Sequence, residues 1–364
     1  MKGRLIVLTA APCHAALLED GRVEDLLLCP KPGMPEVGDI RTAKVTRKLA
    51  SDGAAFMDLD GGLDGYLREG KGLRSGDMLP VMVSGLPEPG KAYPVTSRLL
   101  IKGRALILTP GRPGVNVSRQ IKDPDERERL SAAVTPPDDE TGIIVRSVAK
   151  DMEAAQLSAE CAHLTARLAE KTPPETPDQT GPLTYALREW TGPTPDMIAA
   201  PEALEQLLDW ESAPGRFHHD PDLADALRFG DGDPFDHFGV WDEIERLRTP
   251  RTDLPSGGWM AIEATRAMVT VDVNTGDGFG GGDAMTTNVE AARELPRQLR
   301  LRGLGGQVIV DFAPLKKQHR KKIEETLKSA FRRDPIDTTL AGWTPLGNFE
   351  LQRKRERRPI SELL

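Results

Sequence analysis

The sequence predicts an α/β chain of several domains, with a small β-barrel towards its front and a parallel β-α-β unit towards its end. Three observations support this. The chain has 364 residues, more than a single compact core usually organises. From Gly38 onward, short alternating strands are separated by Gly and Asp turns. From Leu254 onward, an apolar strand, a segment of helical period and a second apolar strand follow one another.

The bulk properties narrow the function. The net charge is -8, with 38% hydrophobic, 29% charged and 5% aromatic residues. That is an ordinary soluble composition. An acidic balance argues against a protein that coats nucleic acid nonspecifically, but not against an enzyme whose basic residues are local. Lys316, Lys317, Arg320, Lys321, Lys322, Lys328, Arg332 and Arg333 form one basic run, and Arg353, Lys354, Arg355, Arg357 and Arg358 form another. Each reads either as a binding patch or as a solvated helix face. Cys13, Cys29 and Cys161 show no C-x-x-C spacing, so neither a disulfide framework nor a structural zinc is expected. Pro12, Glu19 and Asp20 interrupt the apolar N-terminal stretch. It is a poor signal peptide and too short to span a membrane, so a cytoplasmic protein is expected. Residues 5–10 and 15–18 read as a hairpin.

Five short strands in roughly 60 residues suit an OB-type barrel. Phe56 and Tyr66 flank its GG turn on neighbouring strands. There they either stack nucleic-acid bases or fill the barrel core. KGRALILTPG is a strand ending in a Pro-Gly turn, and ETGIIVRSVAKDM is a strand running into the helix MEAAQLSAECAHLTARLAEK. Leu157, Cys161, Leu164 and Leu168 make that helix's apolar stripe. Residues 172–250 are crowded with proline and allow helices at PEALEQLLDWE and DPDLADALRF. His218, His219 and Asp220 are a weak metal signal, since adjacent side chains diverge.

The chemistry concentrates after Leu254. MVTVDVN is a buried strand ending in Asp272 and Asn274, followed by the Gly-rich TGDGFGGGD. The helix TTNVEAARELPRQLRLR is expected to be capped by Thr286 or Thr287, kinked at Pro296 and stopped by Gly303. Val289, Ala292, Leu295 and Leu299 make one face, and Arg293, Arg297 and Arg300 another. QVIVDF then carries Asp311. Strands joined by a helix run parallel, so Asp272 and Asp311 emerge on one rim. Each alone could merely cap a turn. Together they suit a hard cation such as magnesium, which keeps several waters and bridges to phosphate. Asn274 lies on the same strand face, where its amide can orient the first carboxylate.

LPSGG (254–258), TVDVNTG (270–276), TNVEAARELPRQLRLRGLGGQVIVDF (287–312) and GNFELQRKR (347–355) resemble the catalytic half of the ribonuclease E/G family. The resemblance implies a magnesium ion shared by Asp272 and Asp311, with manganese able to substitute and Asn274 in support. GDIRTAKV, GAAFMDL and DGYL resemble the family's RNA-binding barrel, which implies that Phe56 and Tyr66 stack bases. GRALILTPG, GVNVSRQI and GIIVRSV resemble its 5′-sensor region, where an Arg-Thr pair holding a 5′-monophosphate matches Arg146 and Ser147. The implied architecture is a shortened RNase H-like scaffold (1–35 and 180–250) with the OB-type barrel (36–101) inserted. A 5′-sensor region (102–179) and a DNase I-like catalytic domain (251–364) complete it.

The expected activity is a magnesium-dependent endoribonuclease on single-stranded RNA, leaving 5′-phosphate products. The expected assembly is a monomer or a zinc-free homodimer. Several features depart from the family pattern. DFAPL replaces D-F-I-D-M with Pro314, Pro345 stands where a basic residue is usual, the Gly-rich loop is short, and the sequence runs to PISELL without a C-P-x-C link. They keep two rivals open: a noncatalytic RNA-binding relative, and a phosphodiesterase acting on other nucleotides.

Overall fold

The computed structural model describes residues 3–9, 14–31, 33–49, 53–59, 62–169, 233–276 and 283–364, together with Ala186, Trp190, 196–199 and 227–229. They form two compact units, 1–84 with 90–238 and 85–89 with 239–364.

The first unit holds β1 (Arg4–Leu8), β2 (Ala15–Glu19), β3 (Arg22–Leu27), β4 (Ile40–Lys48), β5 (Ala55–Asp58), β6 (Asp64–Leu67), β7 (Met78–Val83) and β8 (Tyr93–Thr96). It continues with β9 (Ile101–Lys102), β10 (Leu106–Pro110), β11 (Val115–Val117), α1 (Pro124–Ala132), β12 (Thr141–Val145), α2 (Ala154–Ala169), β13 (Asp196–Ala199), β14 (Leu227–Phe229) and α3 (Pro234–His237).

The first sheet has the order β14-β13-β1-β2-β3. Strands β1 to β3 form an antiparallel meander, and β13 and β14 run parallel to β1. Asp20 and Gly21 both have positive φ, which suits the two-residue turn joining β2 to β3. The strand Leu227–Phe229 corrects the helix expected over DPDLADALRF, at least for those three residues. The helix expected at PEALEQLLDWE, the His218–His219–Asp220 group, Cys13 and residues 277–282 of the Gly-rich loop lie outside the described residues.

The second sheet is a closed barrel, β4-β5-β6-β8-β7, sealed by β4 pairing with β7. Ala43, Val45, Met57, Leu67, Val81 and Val95 fill it. The third sheet, β11-β12-β10-β9, packs its Leu108, Ile143 and Val145 against Leu157, Cys161 and Leu164 of α2. That is the stripe read from the sequence. Among the described residues, no helix is long and apolar enough to cross a membrane.

The second unit holds α4 (Val240–Leu247), β15 (Arg251–Asp253), β16 (Trp259–Ala264), β17 (Val269–Asn274), α5 (Ala284–Leu301), β18 (Gly306–Asp311), α6 (Arg320–Phe331), β19 (Thr338–Trp343), β20 (Phe349–Arg353) and α7 (Ile360–Leu363). Its six-stranded sheet has the order β15-β16-β17-β18-β20-β19. The β17–β18 pair is parallel, as a helical crossover requires, and the other neighbours are antiparallel. Val269, Val271, Val273, Val308, Val310 and Leu351 face α5 and α6, meeting Leu295, Leu299, Ile323 and Leu327. Each such side chain taken from water contributes roughly 1.5–3 kcal/mol.

Three expectations change here. Asp283, not Thr286 or Thr287, caps α5: its Oδ1 accepts from the N–H groups of Met285 and Thr286. The Thr286 hydroxyl donates to Asp283 instead. The arginine face of α5 is largely interior. Arg297 is buried against Glu243 and Glu294, and Arg300 pairs with the interior Asp334, leaving Arg293 exposed. The second basic run is not a patch either. Arg353 is fully buried against Asp334, and Arg355 pairs with Glu88. Helix α5 continues through the buried Pro296 and ends before Gly303, whose φ is +66°.

Candidate active site

The site starts from strand alternation. In β17, Val269, Val271 and Val273 are buried, which turns Thr270, Asp272 and Asn274 to the opposite face. In β18, Val308 and Val310 are buried, which turns Gln307, Ile309 and Asp311 the same way. Asp272 and Asp311 are register partners in the parallel pair. Their backbones are one strand spacing apart, about 4.8 Å. Both are exposed, and among the described residues neither has an ion-pair partner. The Asn274 amide donates to Asp272 Oδ2 at 2.7 Å. One carboxylate is thereby held in orientation beside the other.

The ends of these strands are fixed from behind. The Asn288 carboxamide is fully buried in α5. It donates to the Ala313 carbonyl at 2.8 Å and accepts from the Ala313 N–H at 2.9 Å. Ala313 lies two residues beyond Asp311, so this two-point clamp sets where the strand leaves the sheet. The sequence reading did not single out Asn288. Its one signal was a polar residue in register with the apolar stripe of Leu295 and Leu299.

The glycines of LPSGG have a matching role. A Cβ on Gly258 would sit 2.8 Å from the Asn274 carbonyl oxygen and 2.6 Å from Thr287 Cγ2. Gly276, with φ +82°, would place one 2.5 Å from the Gly257 carbonyl. Only glycine lets the β15–β16 turn lie this close to the backbone that follows Asn274. Ser256 N–H donates to Glu290 on α5 and completes the seat.

Two carboxylates with an orienting amide, neither of them ion-paired among the described residues, form a donor set for a hard divalent ion that retains water. Among the described residues, no group of three or more His, Cys, Asp or Glu gathers that could hold a metal. A fully protein-caged cation is therefore not what these residues offer.

The barrel residues are cross-strand partners. Phe56 and Tyr66 pair directly in β5 and β6, with ring centroids 5.5 Å apart in an edge-to-face arrangement. Both are half-buried, while the flanking Ala55, Met57 and Leu67 fill the interior. The rings belong to the barrel's outer face rather than to its core. The exposed Arg47 lies over Phe56 at 4.7 Å from its centroid, a contact the sequence reading did not reveal. It sits at a register shift between Val45 and Arg47, which no alternation rule anticipates.

Arg146 follows β12, and Ser147 opens the short 3-10 turn after it. Arg146 Nη1 donates to the carbonyls of Gly103 (3.0 Å) and Arg104 (3.2 Å), which pins the guanidinium to the 103–105 turn. Glu160 of α2 supports this turn from beneath, accepting from the N–H groups of Ala105 and Leu106. Burial raises its carboxyl to a pKa of about 7, against the opposing pull of these N–H groups and of Arg104. A Cβ on Gly103 would come 2.1 Å from Glu160 Oε1, so a larger residue there would have to displace the carboxylate.

The model of the "Ribonuclease E/G family" matches residues 100–356. Ribonuclease G of Escherichia coli (strain K12) is 30% identical over 403 residues, covering 99% of this chain and 81% of that protein. Ribonuclease G of Haemophilus influenzae is 27% identical over 399 residues, covering 99% and 81%. Ribonuclease E of Synechocystis sp. (strain PCC 6803) is 29% identical over 389 residues, covering 96% and 56%.

Proposed function

The chain belongs to the ribonuclease E/G family, and from that premise we propose that it is an endoribonuclease of RNA processing or decay, dependent on magnesium or manganese. It cuts single-stranded RNA and leaves a 5′-phosphate on the downstream product. The observation that carries this reading is the register pairing of Asp272 with Asp311 on two parallel strands, with Asn274 bonded to the first carboxylate. Asp272 and Asp311 would hold the magnesium ion. When bound, it would supply Lewis-acid polarisation of the phosphodiester and neutralise charge that develops on its oxygens. Asn274 keeps the Asp272 carboxylate from rotating, and the Asn288 clamp on Ala313 fixes the backbone beyond Asp311. Pro314 is exposed and outside this clamp, so losing an acid there leaves the pair intact.

The remaining assignments follow the same premise. The sheet order β14-β13-β1-β2-β3, a meander beside two parallel strands, supports an RNase H-like scaffold built from 1–35 and 180–250. The closed barrel, within 36–101, holds RNA, with Phe56 and Tyr66 stacking bases. The region 102–179 senses the RNA 5′ end through Arg146 and Ser147. Residues 251–364 form the DNase I-like catalytic domain. No structural zinc is proposed, and the assembly is a monomer or a zinc-free dimer in the cytoplasm.

One assay tests the reading against both rivals. The protein is incubated with a structured RNA, its DNA equivalent and a dinucleotide, with and without magnesium. Magnesium-dependent cleavage of the RNA alone is expected. Binding without cleavage would establish the noncatalytic relative, and cleavage of the dinucleotide would establish the phosphodiesterase.

A further inference from the structure

The face that carries Asp272 and Asp311 extends over two more strands. Antiparallel register places Ala261 opposite Asp272 and Arg251 opposite Ala261. Directly paired residues share a face, so Arg251, Ala261, Asp272 and Asp311 form one row across β15, β16, β17 and β18. The next row runs Asp253, Trp259, Asn274. The neighbours of Trp259 confirm its direction, since Gly258 and Met260 are buried while Trp259 itself is partly exposed.

Arg251 reaches across these rows. Its guanidinium lies 4.9 Å from the centroid of the Trp259 ring, and its Nε donates to Asp253 at 2.8 Å. Asp253 thus pairs with the arginine, and the arginine lies over one face of the indole. The other tryptophan of this sheet, Trp343, packs against Phe312 and Phe349 and serves the interior. Trp259 faces the carboxylate side. Ala261 stands between Arg251 and Asp272, where its methyl group leaves the row low, and Asn274 is the direct partner of Trp259 on the next strand.

The geometry points to Trp259 and Arg251 as a stacking platform for a nucleobase next to the phosphodiester that is cut. This rests on the nuclease reading of Asp272 and Asp311 and adds a second aromatic contact surface to that of the barrel. An indole offers a large π-face and accepts any of the four bases, because every base has a face to stack. The low ground at Ala261 gives the ribose and phosphate room to run from the platform towards the carboxylates. A duplex keeps its bases paired and stacked inward, so a platform here selects for unpaired RNA at the cut itself.

Two readouts test this on the full-length protein. The first uses single-stranded RNA of defined cleavage position, with an abasic nucleotide moved through successive positions around it. The native protein should lose about tenfold in kcat/KM at one position adjacent to the cut. Trp259→Ala should show the same loss on intact RNA and no further loss on that abasic substrate, while Trp259→Phe should keep most of the activity. Arg251→Ala should weaken the effect by a few-fold. If the losses from Trp259→Ala and the abasic position multiply, the base stacks elsewhere and the inference falls.

The second readout needs no catalysis. RNA carrying one 2-aminopurine is bound in the presence of a chelator, with thermal unfolding of each variant as the control for folding. Fluorescence should be quenched at one position by the native protein and by Trp259→Phe, but not by Trp259→Ala. Equal quenching by all three would overturn the platform even in an active enzyme. If the native protein cuts no RNA, the nuclease reading fails, and the quenching pattern still decides whether Trp259 stacks a base.

Discussion

On the barrel, the outward residues of two neighbouring strands are Phe56 and Tyr66. On the terminal sheet, the outward residues of two neighbouring strands are Asp272 and Asp311. Both pairs are direct register partners, and both stand opposite a row of buried aliphatic side chains. What differs is the support beneath them. The barrel pair rests on other side chains, Arg47 over one ring and the second ring against it. The carboxylate pair is fixed through backbone and amides: Asn274 on Asp272, Asn288 on the chain beyond Asp311, and glycines that let the adjoining turn close in. On the proposed reading, a surface that holds many sequences tolerates give in its contacts, and a surface that must meet one phosphorus atom does not.

The largest expected effect breaks the comparison on the sheet side. In Asp272→Asn or Asp311→Asn, cleavage should fall to background while RNA binding is nearly unchanged, since the shape remains and only the charge that holds the cation is removed. Robust cleavage by both variants in magnesium would remove these residues from the site.

The barrel side should respond in the opposite sense. Phe56→Ala or Tyr66→Ala should weaken RNA binding by roughly 1–3 kcal/mol each with folding retained. Titration with labelled RNA beside a thermal melt separates the two quantities. Two variants that unfold yet bind normally per folded molecule would assign the rings to the core.

A smaller effect belongs to the 103–105 turn. The native protein should cut 5′-monophosphorylated RNA a few-fold faster than 5′-hydroxyl RNA, because a guanidinium can give a terminal phosphate two hydrogen bonds at once. Arg146→Ala should erase that ratio. Equal rates on the two substrates by the native protein would remove Arg146 from recognition of the 5′ end.

The smallest effect concerns pH. Burial raises the Glu160 carboxyl from 4.5 to about 7, so the folded chain keeps this proton where the unfolded chain has lost it. The resulting stability is present in full below pH 4.5 and is lost as pH rises to about 7. Gln keeps the acceptor oxygen for Ala105 and Leu106 but cannot ionise. Glu160→Gln should therefore flatten the dependence of urea stability on pH across that window. The same slope in both proteins would mean that the carboxyl titrates normally.

Much of this was legible in the sequence where one strand or helix determines the outcome. Alternation around Asp272 and Asp311, the stripe of α2 and the turn-bounded barrel strands all follow from local periodicity. The two carboxylates could be brought together because parallel strands joined by one helix leave little freedom of register. What escaped depends on a partner far along the chain. Arg297, Arg300 and Arg353 look like surface charges until Glu243 and Asp334 arrive beside them. Asn288 looks like a flaw in an apolar stripe until Ala313 closes on it. Asp283 and the two threonines after it are all good capping residues, and only geometry chose among them.

The sheet order has a consequence for synthesis. The barrel's last strand ends at Thr96, whereas β20 (Phe349–Arg353) inserts between β18 and β19. Until residues 349–353 leave the ribosome, the strand bearing Asp311 is an open edge, and the N–H of Leu86, made long before, still lacks the Arg355 carbonyl that receives it. Translation therefore completes the surface proposed to hold RNA well before the surface proposed to cut it. In a nascent chain with this topology the barrel is complete at a stage when the carboxylate pair is not yet locked in place.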